Sequence, residues 1–372
     1  MNGNVDGTLT PILQQFMTAN PGRIFYNDVP TSKHTQANCG SPNAGDFCHK
    51  GSYVGSGAAA FSSNAEVYAC PQASLIAYGC GGNVVVNRTL SDGTVTARRG
   101  GFYNNREAAW VYMLNVNAHD LLVWNRAQAS ANQLFDPNVA TYGGVVLYLT
   151  VVGPNSTGNL PNGLRYGVRV FGSSNLDFPA GVVDPTGLTV LSDQAAYIEG
   201  DYNVGTAQKP KQPAAFMADT INVLSNSWSG PADATWTGNG GLTACRNDCQ
   251  SFQPLAARPG SSGTLFAAFL AGVDLTTNGN YNGGFENYPR FHENWNLGAT
   301  QQTLTYRGSY VSLGQPTRAN GSWCGTGAGC NMYNPPKRNW NYDTDFQLVQ
   351  NLPPLTPRVV AVQQILFTEN FR

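Results

Sequence analysis

The sequence predicts a mainly β protein. Its C-terminal half, residues 181–372, reads as an irregular right-handed β-solenoid, a β-helix-like stack with long inserted loops, and residues 1–180 as a smaller α+β region. Three observations predict this. First, apolar residues alternate over short runs. Leu188 and Val190 point one way and Thr189 and Leu191 the other; Ala196 and Ile198, Phe216 and Ala218, then Ile221 and Val223 repeat the pattern. Alternation over four to six residues indicates half-buried strands. Second, turn residues such as Glu199-Gly200-Asp201 end each run after one or two inward positions, which suits stacked rungs better than a flat sheet. Third, only 12% of the residues are charged, so Asn, Gln, Ser, Thr and Gly must make the surface polar, as in secreted β-rich proteins.

The elements follow in order. Residues 8–19 place Ile12, Leu13, Phe16 and Met17 on one face of a short helix, with Pro11 in its first turn. Residues 23–27 form a strand, and 31–64 a stapled loop region rich in Gly, Ser, Asn and Ala. Residues 65–90 alternate again, and Ser91-Asp92-Gly93-Thr94 signals a hairpin. Trp110, Tyr112 and Leu114 alternate as a strand, and Asn117 caps a helix carrying Leu121, Leu122 and Trp124. Residues 144–152 are nearly all apolar, which predicts a strand buried on both faces. Tyr166–Phe171 is the next strand, and the rungs start at 185. A long Gly/Ser/Asn/Pro loop spans 227–263. Strands resume at 265–273 and 304–313, and 358–367 closes the chain.

The eight cysteines pair by position: Cys39 with Cys48, Cys70 with Cys80, Cys245 with Cys249, and Cys324 with Cys330. An even count in loop-like surroundings favours disulfides and an oxidising compartment. Zinc held by the last two pairs is the alternative, although their spacings are not those of a zinc ribbon. The net charge of −1 offers no basic field for nucleic acid. No apolar run approaches the roughly 20 residues of a membrane span. The opening MNGNVDGTLT lacks the pattern of a signal peptide, so an exported form is expected to be a trimmed one.

The densest polar cluster is Glu286, Arg290, His292, Glu293 and Asn294. Glu286, His292 and Glu293 are the catalytic candidates, because carboxylates beside a histidine suit general acid–base work on glycans. Interleaved Phe285, Tyr288, Phe291 and Trp295 equally describe a buried strand whose polar groups bond backbone. Asp343 and Asp345, with Asn339 and Asn341, are calcium candidates, the one cofactor the sequence suggests; turn formation explains them as well. Glu199 and Asp201 carry the same ambiguity. Histidines 34, 49, 119 and 292 share no metal-type spacing. Asn87, Asn155 and Asn320 head glycosylation triplets. Trp228, Trp236, Trp295, Trp323 and Trp340 lie beside Asn/Gly loops, so they either stack on sugars or fill the core.

The ordered segments FYNNREAAWVYMLNVNAHDLLVWN, GGVVLYLTVVGPNSTG, GLTVLSDQAAYIEGDYN, KPKQPAAFMADTINVLSNSW, YNGGFENYPRFHENW, LTYRGSYVSL, YNPPKRNWNYDTDF and LPPLTPRV span about residues 100–370. They resemble the C-terminal region of large exported bacterial proteins with a PilX-type, type IV pilin-like N-terminal segment. The resemblance implies a structural or adhesive component of the bacterial surface, at the cell surface or in the medium after transit through the periplasm. Its partners would be pilus or other surface-assembly subunits, or glycans. The pilin-like anchoring helix does not occur in this sequence, and the resemblance transfers no catalytic residues. A glycan hydrolase or lyase on a β-helix is the alternative function, and a carbohydrate-binding module is the third.

Overall fold

The structure is a computed structural model that describes residues 24–27, 102–107, 109–127, 144–149, 164–176, 186–207, 209–228, 249–252, 254–273, 287–312, 314–319 and 332–356. It is mainly β. The strands are β1 (Ile24–Asn27), β2 (Phe102–Asn104), β3 (Ala109–Asn117), β4 (Val145–Tyr148), β5 (Leu164–Phe171), β6 (Leu188–Leu191), β7 (Ala195–Glu199), β8 (Ala214–Ala218) and β9 (Ile221–Leu224). They continue as β10 (Gly263–Phe266), β11 (Ala268–Ala271), β12 (Pro289–Phe291), β13 (Thr303–Gly308), β14 (Tyr310–Ser312) and β15 (Lys337–Tyr342). One helix, α1 (Ala118–Ala127), follows β3. Its first turn is capped as the sequence predicts: the Asp120 amide donates to Asn117 Oδ1 at 3.0 Å. Leu121 and Leu122 are buried under it.

Three sheets hold these strands. The first has the order β1-β3-β5-β7-β9-β12, with β2 also on β3. The second runs β4-β6-β8-β11-β14, and the third β10-β13-β15. Among the described strands, β1 and β2 pair antiparallel with β3, and every other pairing is parallel. From β9 the chain visits the first, third and second sheets in turn, and from β12 it visits them again in the same order. Each strand therefore lies beside the strand the chain made on its previous visit. Parallel neighbours need a long connection between them, and the intervening chain supplies it.

Register turns this order into columns of inward side chains. Leu147, Val190, Phe216, Phe269 and Tyr310 are successive partners through the second sheet. Leu265, Tyr306 and Trp340 line up in the third, and the lone bridge Tyr202–Leu265 extends that column by one rung. Val116, Val170, Ile198, Val223 and Phe291 do the same in the first. These side chains meet in one buried core, with Trp340 and Tyr310 packed on its margin. The rings interlock: Phe216 and Phe269 are 6.2 Å apart, Phe269 and Tyr310 5.8 Å, and Tyr306 stacks on Tyr310 at 4.6 Å. All eight inward positions expected from alternation between 188 and 223 are in this core.

Several expectations need correction. The strand in 144–152 is not buried on both faces. It ends the second sheet, and Tyr148 is 56% exposed while Val145 and Leu147 face the core. The runs 265–273 and 304–313 each break into two strands, at Ala267 and Ser309, because the chain leaves the third sheet there and enters the second. The parallel pairing also begins before residue 181. β3 pairs with β5, β5 with β7, and β4 with β6, so hydrogen-bonded sheets cross the expected boundary at 180. The expected helix at 8–19, the stapled loop 31–64, the hairpin after residue 90 and the closing strand at 358–367 lie outside the described residues.

Gly308 sits at the corner between β13 and β14, where an added Cβ would collide with the Ala267 carbonyl and the Tyr306 ring. Backbone and a packed aromatic cannot both yield. Gly308→Ala is expected to lower unfolding stability by about 1–3 kcal/mol, as overpacking does. Urea denaturation beside the parent checks it; an unchanged midpoint would show that this corner is not tightly packed.

Candidate functional site

Side chains that alternate with the core columns of the first sheet point to its other face. There Asn115, Arg169, Tyr197, Asn222 and Arg290 are successive partners along the sheet. This polar column is buried. Arg169 donates through Nε to Asn115 Oδ1 at 2.6 Å and pairs with Glu199 at 2.9 Å. Phe102–Glu107 lies over the column. Asn104 Nδ2 donates to the Tyr197 hydroxyl at 3.0 Å, Arg106 donates to Asn287 Oδ1, and Glu107 forms an ion pair with Arg290. A second apolar cluster fills the remaining space: Phe102, Val111, Met113, Ala195, Tyr197, Leu224, Trp228 and Ala319.

Two of the catalytic candidates fall here. His292 is buried, with its ring 5.3 Å from Phe102 and 5.8 Å from Tyr197. Asn222 Nδ2 donates to the Ala196 carbonyl at 3.1 Å, so its Oδ1 faces His292 Nε2 at 2.9 Å. The geometry therefore assigns the proton to Nε2, and Nδ1 has no hydrogen-bond partner among the described residues. Burial, and then the nearby Arg106, Arg290 and Arg258, hold the imidazole well below its ordinary range.

Glu293 is 0% exposed and accepts from the amide and the hydroxyl of Ser225, both at 2.6 Å. Burial pushes its carboxyl up to about 8, against the Ser225 bonds and Arg258, which pull it down. Arg258 donates to the carbonyls of His292 and, at 3.1 Å, Met332, and burial lowers it to about 10. His292 and Glu293 thus bond different partners rather than each other or a shared open space. Among these groups, the hydrogen bonds tie chain segments together. Glu286 lies outside the described residues. Asn294 accepts at Oδ1 from Asn334 Nδ2 at 2.7 Å and joins Pro259 and Asn334 as a corner of the stack.

The calcium candidates are also committed. Lys211 Nζ lies 2.6 Å from Asp343 and 2.7 Å from Asp345, so an ammonium already stands between the two carboxylates. Asp343 caps the 3-10 turn Thr344–Gln347 by accepting from the Asp345 amide. Among the described residues no group of three or more His, Cys, Asp or Glu side chains converges as metal ligands would. Glu199 pairs with Arg169, and Asp201 accepts from the Thr264 amide at 2.7 Å. His119 contacts Asp120 at 3.3 Å.

Of the candidate tryptophans, the described ones pack in the core or on its margin. Trp295 is 0% exposed against Phe291, Trp228 is buried beside Phe102, and Trp340 packs on Phe291, Tyr306 and Tyr310. Trp236, Trp323, His34, His49, the three glycosylation triplets and every candidate disulfide lie outside the described residues, Cys249 alone falling within a described turn. Sequence reading missed Asn222, Ser225, Tyr197 and Arg258 as partners of the 290–294 cluster. The signal existed only in register, since Ser225 and Glu293 are far apart in sequence and adjacent rungs in space. No protein-family model, no curated protein and no solved structure matches this chain.

The native Glu293 carboxyl keeps its proton to about pH 8, whereas the unfolded group, with an ordinary value of 4.5, loses it far earlier. The unfolded chain then binds fewer protons in that interval, and stability falls as pH rises. Glu293 is expected to contribute a decline that eases from about 1.4 to about 0.7 kcal/mol per pH unit between pH 6.5 and 8, and that is lost in Glu293→Gln. Denaturant titrations across that range decide it; equal slopes in the two proteins would count against the assignment. Trp295→Ala is expected to cost about 3–5 kcal/mol of stability, as loss of a fully buried aromatic does. Thermal unfolding that left its midpoint unmoved would return Trp295 to the list of exposed ligand-stacking rings.

Proposed function

We propose that this chain is an exported structural or adhesive protein of the bacterial surface, associated with pili or a related assembly, and built as a right-handed β-solenoid. The observation that carries it is the repeated visit of the chain to three parallel sheets in fixed order, with inward columns such as Val190-Phe216-Phe269-Tyr310. A stack of this kind is rigid along its length and accepts long loops at its corners without disturbing the core, which is what a surface scaffold needs. The sparse charge and the even count of eight cysteines fit an oxidising, extracellular setting. Its partners are then other surface-assembly subunits, with glycans as ligands of the loops. The resemblance of residues 100–370 to exported pilin-linked proteins adds to this reading.

A carbohydrate-active enzyme on the same scaffold needs two carboxylates that reach a sugar. Glu293 does not favour it, because both its oxygens are taken by Ser225 inside the protein. The purified protein tests the proposal in two ways. Mass spectrometry without reductant is expected to find no free thiol and only the four sequence-adjacent linkages. Sedimentation and electron microscopy at increasing concentration are expected to find self-association or filaments. Free thiols with a strictly monomeric protein that cleaves glycans would replace this function with the enzymatic one.

A further inference from the structure

The segment Phe102–Glu107 packs on the polar column of the first sheet. Its backbone ladder reaches only β3, through Phe102–Val111, Tyr103–Trp110 and Asn104–Ala109. Its further contacts include the 249–252 turn and side chains of β7, β12 and the residues beside them. Tyr103 donates its amide to Ser251 Oγ at 2.8 Å, and Asn105 Nδ2 donates to the Ser251 carbonyl at 2.8 Å. Phe102 inserts between Tyr197, Trp228 and His292, with centroids 5.1, 5.5 and 5.3 Å away. Asn104, Arg106 and Glu107 then reach Tyr197, Asn287 and Arg290.

We propose that Phe102–Glu107 is an acid-released latch on the outer face of the first sheet, and that His292 beneath it is the group whose protonation releases it. The reasoning is geometric. His292 uses Nε2–H on Asn222, and its second nitrogen faces no acceptor among the described residues. A second proton there would be a buried donor with nothing to bond, which costs the desolvation of a charge. The charged groups around the ring deepen that cost. Arg106 comes from the latch, Arg290 from β12, and Arg258 from the turn after Leu255–Ala257. From β7 the ring meets the Tyr197 phenol, and from β9 the neutral Asn222 amide. The nearby carboxylates are engaged elsewhere, Glu107 with Arg290 and Glu293 with Ser225.

A protonated His292 must therefore reach water. On one side of it lies the first sheet, to which β12 is joined by its ladder with β9; on the other lies the latch, joined by its ladder with β3 and by side chains. Lifting the latch hydrates the ring and leaves the pairings of β7, β9 and β12 in place. It also uncovers Tyr197, Trp228, Asn222 and Arg290. The sign is fixed by linkage. The imidazole is depressed while covered and returns to an ordinary value near 6.5 once open, so falling pH favours the open form.

Hydrogen exchange of the intact protein, read by mass spectrometry at pH 7.5 and 5.5 and corrected for the intrinsic pH dependence of exchange, tests the proposal. Peptides covering 102–107 and 249–252 are expected to open more at the lower pH, by up to about tenfold per unit below 6.5. Peptides of β6, β8 and β11 are expected to keep their protection. His292→Gln, which retains an N–H for Asn222 and cannot ionise, is expected to lose the acid response. Unchanged protection of the latch at pH 5.5 overturns the proposal. So does a loss spread evenly over all three sheets, and so does an acid response that survives in His292→Gln. Should that variant fail to fold, the contrast between latch and second-sheet peptides in the parent protein decides alone.

Discussion

Register between parallel strands far apart in the chain is the constraint on which this structure rests. Ala196 has to find Ile221 and Ile221 has to find Pro289, although very different lengths of chain separate the two pairs. Local sequence cannot specify such pairings, because parallel partners never share a tight turn. The inward columns specify them. A slip by one residue would turn Ile198 and Val223 outward and bring Tyr197 and Asn222 into the apolar interior. Where the interior holds rings, the penalty is larger still, because Phe216, Phe269, Tyr306 and Tyr310 interlock across neighbouring rungs. The loops between can then vary in length without altering the stack.

The buried polar column on the opposite face supports the same register by different chemistry. Arg169 reaches back one strand to Asn115 and pairs with Glu199 at the end of the next. Arg290 reaches Glu107 on the covering segment. Desolvating such groups consumes much of what their attraction returns, so their net stabilisation is modest. Their specificity is not modest. A shifted strand would leave a guanidinium inside the protein without its acceptors, and that state is far costlier than an apolar mismatch.

Alternation made the inner face legible. Leu188, Val190, Ala196, Ile198, Phe216, Ala218, Ile221 and Val223 could be read as core because each run was short and bounded by turn residues. The outer face was not legible. Ala195, Tyr197 and Leu224 look like ordinary outward positions, and residues arriving from elsewhere in the chain, Phe102, Trp228 and Ala319 among them, pack over them. The same limit applied to chemistry. Glu293 and His292 stand out as a polar cluster in the sequence, yet what they do depends on Ser225 and Asn222 from the preceding strand of the sheet. Asp343 and Asp345 read as a cation site until Lys211, from before β8, brings its own cation.

The adjacent pair His292 and Glu293 shows how burial, the largest cause for each, can set opposite responses. Both side chains are removed from water, and for both the charged form is the one that loses. For a base that means holding no second proton, and for an acid it means keeping one. The two groups are then neutral together over the same range of pH, and neither adds charge to an interior already carrying Arg258 and Arg290. Three guanidinium groups around one imidazole would be untenable if that imidazole were also a cation. Its neutrality lets the covering segment close over the sheet, so the same ring that seals this face at neutral pH is the one acid would act on.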